Sequence, residues 1–249
     1  MATMEERRAG ALAGTGGETN GWATRVVLQP IAAPSVLGLA GFSVSTMMVA
    51  TIQAKWWGGP VDFPAIAPFC LAFGGLAQLL AGMWAYKARD VVATLAHGTW
   101  GAFWIAFFVL QMLEVTKTIP TPAPDAKDLA FGMWMIGLAY VTWTATAGAM
   151  AENLGIAAVL GTLALGSSFS AIGFLTGGFE SGWSTLGGWL FVISAGLAWY
   201  ALTAMTLMSV TGRAILPTGE LSKKANKPGS PAVYPIQLDW AEPGVKQGQ

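Results

Sequence analysis

The chain has 249 residues, 54% of them hydrophobic and 10% charged, with 13 basic and 13 acidic side chains and no net charge. A soluble domain carries about 25% charged residues, so the composition argues against one, and a zero balance offers nothing to a nucleic-acid backbone. The single cysteine, Cys70, excludes a disulfide framework and a cysteine-rich metal site.

Residues 1–30 read as an N-terminal tail. They contain no apolar core followed by a small-residue cleavage site, as a secretory signal would. Trp22 and the run Val26-Val27-Leu28 suit an interface, and Pro30 and Pro34 stop a helix from running back from the first apolar stretch. Six such stretches follow, at 35–54, 64–86, 91–113, 129–151, 155–175 and 182–210. Each has about 20 residues or more, and a rise of about 1.5 Å per residue carries a helix of that length across about 30 Å of hydrocarbon. The stretches are continuously apolar and lack the alternation of a membrane β-barrel. The fold class is therefore an all-α membrane protein with six transmembrane helices in a bundle over 31–220, multi-pass in the cell (inner or plasma) membrane.

Lys55-Trp56-Trp57 closes the first span, where tryptophans fit the headgroup belt. Lys87 to Asp90, and later Glu152-Asn153, are short enough to force antiparallel hairpins. The connection 114–128 carries Pro120, Pro122 and Pro124 and is expected to be extended. Residues 221–249 form a C-terminal tail, in which Tyr234, Ile236, Leu238 and Trp240 alternate; that stretch reads either as unstructured or as a contact for a protein partner.

Six spans place both termini on one side. That side holds Arg7, Arg8, Arg25, Lys87, Arg89, Arg213, Lys223, Lys224, Lys227 and Lys246, against Lys55, Lys117 and Lys127 opposite. The positive-inside bias predicts cytoplasmic termini.

Intramembrane polar groups are the usual pointer to function. No carboxylate lies in the middle of a span, so neither a carboxylate proton relay nor a charged selectivity ring is supported. His97, the only histidine, reads either as a pore-facing group or as a neutral imidazole bonded to a neighbouring helix. Gln78 needs hydrogen-bond partners in lipid. Thr94 belongs to a set of span hydroxyls that more often bond their own backbone than a ligand. Gly173 and Gly177 make a GxxxG pair, one of several small-residue faces that allow close helix approach. No nucleophile–base pair, metal cluster, nucleotide loop or other cofactor motif is visible, and an enzyme is not expected. The residues alone support a channel, a carrier or a subunit of a membrane complex.

Three motifs go further. Pro34-Ser35-Val36-Leu37-Gly38-Leu39-Ala40-Gly41-Phe42 resembles the opening signature of the acetate uptake transporter family. Phe73-Gly74-Gly75-Leu76-Ala77-Gln78 with Ala81-Gly82-Met83-Trp84, then Gly101-Ala102-Phe103-Trp104, resembles its second and third helices. Gly212-Arg213-Ala214-Ile215-Leu216-Pro217-Thr218-Gly219-Glu220 is similar to its closing motif. The resemblance implies a six-helix protein that assembles as a homo-hexamer, each protomer carrying a pore for acetate and other small monocarboxylates, or succinate, with uptake linked to protons. It places the pore constriction at Phe42, Trp100 and Leu163, with Gln78, Thr94 and His97 as further candidates along the path. This chain departs from the pattern at Ala33, where the family has Asn, at Val36, where it has Pro, and at Trp100, where it has Tyr. It departs again at Ala85 and Met205, each where the family has Glu. Those departures keep open an accessory membrane subunit that has lost transport, and the shared six-helix hexamer keeps open a urea or amide channel.

Overall fold

The computed structural model describes residues 32–120 and 122–221. The expectations for the N-terminal tail, for residues 26–28 and for residues 234–240 lie outside the described residues. Six helices follow in order: α1 (Pro34–Gln53), α2 (Pro60–Ala88), α3 (Val91–Val115), α4 (Pro124–Ala149), α5 (Leu154–Gly177) and α6 (Gly182–Thr211). All six are long and apolar enough to cross a membrane, and the chain is a six-span, multi-pass membrane protein. Consecutive helices pack on one another, and α6 returns to α1. The helices thus close a ring in chain order, and side chains from all six can face one axis.

Hydropathy located these helices because each is apolar along its whole length; their ends are set by local chemistry. Asp90 and Asn153 cap α3 and α5, their side chains accepting from the Ala93 and Ile156 N–H groups at 2.8 Å each. Lys55, Arg89 and Lys117 adopt left-handed backbone angles just past the ends of α1, α2 and α3. Each places a cation where the unsatisfied carbonyls of a helix end are partly negative. Trp56 and Trp57 are about half exposed, and the Trp57 indole donates to the Thr51 hydroxyl at 3.0 Å.

Two features differ from the sequence expectation. The connection 114–128 is not extended throughout, because α3 runs to Val115 and α4 already begins at Pro124. A proline at the first helical position is pre-set for helix and lacks only an N–H that would be unpaired there. Lys127, now on the second turn of α4, reaches Glu114 at 2.7 Å and ties the two helix ends together.

The second difference is inside α2, where residues Leu71–Ala77 form a π-helical stretch between α-helical segments. Pro68 removes one backbone donor just before it, and the wider turn turns backbone groups toward α1. A backbone group in hydrocarbon must find a partner, and the Gly74 N–H finds it in the Ser45 hydroxyl of α1, at 2.8 Å. Beside it, Gly41 lies against the Phe73 carbonyl so closely that no side chain fits between them. On the other side of the ring, Gly173 lies against Ser184, which joins α5 to α6.

Residues 212–221 leave the end of α6 and pair with the turn between α4 and α5. Leu154 and Gly155 donate to the Gly219 and Thr218 carbonyls at 2.8 Å each, Leu221 donates to Glu152 at 3.0 Å, and the Tyr200 hydroxyl donates to Pro217 at 2.7 Å. The closing sequence motif is therefore a clasp across this end of the ring.

Candidate functional site: an aromatic vestibule

The vestibule begins with one stripe of α3. Trp100, Phe103, Trp104, Phe107 and Gln111 recur at spacings of three and four residues, so they share one helix face. All five are buried, and all five line a cavity of about 320 Å³ inside the ring. Thr46 and Gln53 of α1, Phe63 of α2, Phe131 of α4, Phe174 of α5 and Phe191 of α6 complete its walls. The aromatic rings meet mainly edge to face, as at Phe63–Phe107 and Phe63–Phe179, both 5.6 Å between centroids, the arrangement that ring quadrupoles favour.

The cavity lies toward the end of the ring that carries Lys55, Lys127, Asp128 and Glu180. Its charges are largely internal pairs: Lys55 meets Glu180 at 2.8 Å and sits over the Phe179 ring, and Lys127 is held by Glu114. The mouth is thus a collar of paired charge above apolar walls.

Polar atoms within those walls divide into two groups. The Gln53 amide is satisfied, donating to the Ser170 hydroxyl at 2.7 Å and the Ser184 carbonyl at 2.9 Å. Thr46 Oγ1, Trp104 Nε1 and Gln111 Nε2 are buried and have no hydrogen-bond partner among the described residues. A buried donor left unpaired costs about 1–3 kcal/mol. Each of the three can donate, but the atoms themselves are covered by neighbouring protein and only other parts of their residues face the open space. Thr46 and Trp104 stand near mid-helix, whereas Gln111 stands about two turns nearer the mouth, so the donors occur at two depths.

The floor is Trp100. Its indole N–H donates to the Thr142 hydroxyl of α4 at 3.1 Å, and that hydroxyl donates to the Leu138 carbonyl at 2.6 Å. Phe42, Phe103 and Phe191 surround the ring at centroid distances of 6.3, 5.2 and 6.2 Å. Phe42, Trp100 and Leu163 are all buried in one apolar cluster. Of the six path residues named from the sequence, Trp100 alone lines the cavity, and Phe42 packs edge-on against Trp100 outside it.

The remaining three lie toward the opposite end. Gln78 is buried with its Oε1 unpartnered, and His97 is buried against Gly38 with its Nδ1 unpartnered. The Thr94 hydroxyl donates to the Asp90 carbonyl at 2.8 Å, within its own helix. Gln111 escaped the sequence reading because it stands near a span end, where an amide is cheap; its spacing from Trp100, Trp104 and Phe107 was the available signal.

At that opposite end, Asp90 and Glu152 both have carboxyls pushed above the ordinary range. Burial is the main cause for each, and for Glu152 the neighbouring Asp90 charge adds to it. A raised folded-state pKa means that the ionised form is disfavoured in the fold. The associated stability is present below the ordinary carboxylate range and is lost as pH rises through the raised value. Asp90→Asn keeps the cap, since Asn caps as well as Asp, and removes the charge. It is expected to raise the melting temperature at neutral pH, with the gain vanishing below about pH 4, as thermal unfolding at several pH values would read. A lower melting temperature at neutral pH would show that the ionised carboxylate stabilises this end.

Comparison with known proteins agrees with this architecture. The chain is 28% identical over 188 residues to ammonia transport outward protein 2 of Saccharomyces cerevisiae, covering 74% of this chain and 65% of that protein, so it spans a little under two thirds of that relative. It is 27% identical over 192 residues to the succinate-acetate/proton symporter SatP of Escherichia coli K12, covering 76% of this chain and 96% of that one. Its fold superimposes on the solved structure of the bacterial acetate channel SatP with a TM-score of 0.67, at 24% identity, over 76% of this chain and all of the other. Residues 15–223 match the GPR1/FUN34/yaaH family, and the chain belongs to that family.

Proposed function

We propose that this protein conducts small monocarboxylic acids, acetate foremost, along the axis of its six-helix ring, with passage linked to protons. The observation that carries the reading is the aromatic-walled cavity inside the ring, floored by Trp100 and collared by paired charges. The small apolar remainder of such an acid suits the walls, and its carboxyl group can stay hydrated at the polar mouth. The names of relatives in the same family, a succinate-acetate/proton symporter among them, support the substrate class.

The apolar floor supports the proton linkage. Moving a bare carboxylate past Trp100, Phe42 and Leu163 would strip its hydration with nothing to replace it, whereas the protonated acid crosses at much lower cost. The solute would enter from the mouth and meet Trp100 at the floor, and Gln78 and His97 stand beyond. The mouth, with its paired charges, would present no strong field to repel or trap an anion.

Radiolabelled acetate uptake into proteoliposomes is the test. Uptake above that of protein-free vesicles is expected, rising as the outer pH falls, with succinate as a competitor. If no acid crosses and labelled urea or ammonia does, the neutral-solute reading replaces this one. If nothing crosses, the sealed floor describes an accessory subunit, and the C-terminal tail becomes the place to seek its partner.

We propose further that the vestibule faces outward and both termini the cytoplasm, on the distribution of Lys and Arg. Cys70 is the sole cysteine and is fully buried, so Pro120→Cys would introduce the reactive thiol. Labelling of position 120 by an impermeant maleimide from outside intact cells is expected; labelling only after lysis reverses the orientation. The resemblance also supports a homo-hexamer, which native mass spectrometry in mild detergent would count.

A further inference from the structure

We infer that Thr142, which lies off the route, is the positioning residue that holds the Trp100 indole across the axis and so keeps larger acids out. This deepens the conduction reading and rests on it for the solute; the hold on the ring rests on geometry.

The direction of the hydrogen bonds is the first argument. An indole N–H can only donate, and a hydroxyl has one proton to give. The Thr142 hydroxyl gives its proton to the Leu138 carbonyl, one turn back on α4, at 2.6 Å. It therefore meets Trp100 with a lone pair, and the indole N–H donates to it from α3 at 3.1 Å. A β-branched side chain has few χ1 choices, and the bond to Leu138 selects among them. The acceptor is thus set by α4 alone, before the indole reaches it. Thr142 is 2% exposed and stands outside the cavity wall, so it acts on a solute only through Trp100.

The neighbours of the ring supply the second argument. Phe42 and Phe191 meet Trp100 edge to face, at 75° and 77°, and Phe103 lies tilted at 58°. Such contacts fill space and favour certain ring angles, but they offer no oxygen acceptor to an N–H group. An indole that swings off the axis leaves its N–H unpaired among apolar rings. The open position is therefore penalised by this one bond, beyond the packing that it disturbs.

Selectivity follows from how far the ring must move. A small acid needs a narrow opening, whereas a longer one needs a displacement that breaks the bond. Losing the acceptor should favour larger acids more than acetate. Thr146 provides the contrast: one turn further along α4, its hydroxyl donates to the Thr142 carbonyl at 2.7 Å and carries no indole.

Uptake of labelled acetate and butanoate into proteoliposomes, with the leak of protein-free vesicles subtracted, reads the selectivity. Fluorine NMR of the full-length protein carrying 5-fluorotryptophan reads the ring. Of the signals from 12 tryptophans, that of Trp100 is the one that Trp100→Phe removes. Thr142→Val keeps the shape of the side chain and loses the acceptor. It should move the Trp100 signal and raise the butanoate-to-acetate flux ratio about tenfold, the loss of one buried hydrogen bond. Thr142→Ser, which restores the hydroxyl, should return both, and Thr146→Val should change neither. Thr142→Ala repeats the test with a smaller side chain, should Thr142→Val fold poorly. A Trp100 signal that stays in place in Thr142→Val overturns the inference. So does a moved signal with the wild-type flux ratio, since the bond would then be merely structural. If neither the wild type nor Trp100→Ala conducts any acid, the conduction reading ends. A signal moved by Thr142→Val and restored by Thr142→Ser would still sustain Thr142 as the hold on the ring.

Discussion

Trp100→Ala is expected to raise acetate flux by at least about tenfold, a lowering of the barrier by about 1.4 kcal/mol, and to admit larger carboxylates. The indole forms the vestibule floor and touches Phe42, Phe103 and Phe191. A methyl group in its place leaves a gap on the axis of the ring and admits the water that a polar solute carries. The substitution leaves no orphaned hydroxyl, because Thr142 keeps its bond to the Leu138 carbonyl. It does remove a large buried side chain, at a cost of about 3–5 kcal/mol, so a monodisperse profile and retained helical content must accompany the flux measurement. Trp100→Phe separates the two roles of the indole: it keeps a ring on the floor and loses the bond to Thr142. Unchanged flux and selectivity in a folded Trp100→Ala protein would remove Trp100 from the route.

Gly41→Val should abolish folded protein. A side chain at Gly41 would run into the Phe73 carbonyl, with the Gln78 N–H 3.4 Å away on the same helix. Both obstacles are backbone, so no rotamer change relieves them, and α1 would have to leave the π-helical stretch of α2. That movement also breaks the bond from the Gly74 N–H to Ser45, leaving a backbone donor unpaired in the membrane, which costs several kcal/mol. Gly41→Ala adds the same Cβ against the same backbone, so it too should lower the yield of folded protein. Gly137 on α4 is the control, since an added Cβ there meets nothing within 4 Å; Gly137→Ala should be neutral or slightly stabilising, as Ala is the better helix former. Thermal unfolding in detergent and the yield of monodisperse protein would read all three. A Gly41→Val protein with native yield and melting temperature would mean that α1 and α2 pack differently.

Both substitutions probe features with different origins. Gly41 and Phe42 stand in the motif that resembles the family opening, and Trp100 stands where the resemblance places the constriction. Their importance could be carried over from that resemblance. The obstacle at Gly41 and the tether on Trp100 could not, because the first depends on a π-helical turn in α2 and the second on a hydroxyl 42 residues away.

The sequence by itself determined what depends on one helix and its solvent. Six apolar stretches specify six spans, since a helix is either apolar enough for lipid along its length or it is not. Asp90 and Asn153 specify helix starts, because a cap is made within three residues. Direction around the helix is a different quantity. Trp104, facing the cavity, and Trp84, about half exposed on the outer surface, are equally good span tryptophans in the sequence. Thr46 and Thr51 are both buried hydroxyls of α1, yet Thr51 bonds its own helix carbonyls and Thr46 meets the cavity unpartnered. Only the closing of the ring decided which faces turn inward. It brought the stripe from Trp100 to Gln111 against α1 and α4 and turned its aromatic rings toward one cavity, because inward and outward are defined by neighbouring helices and not by any one of them.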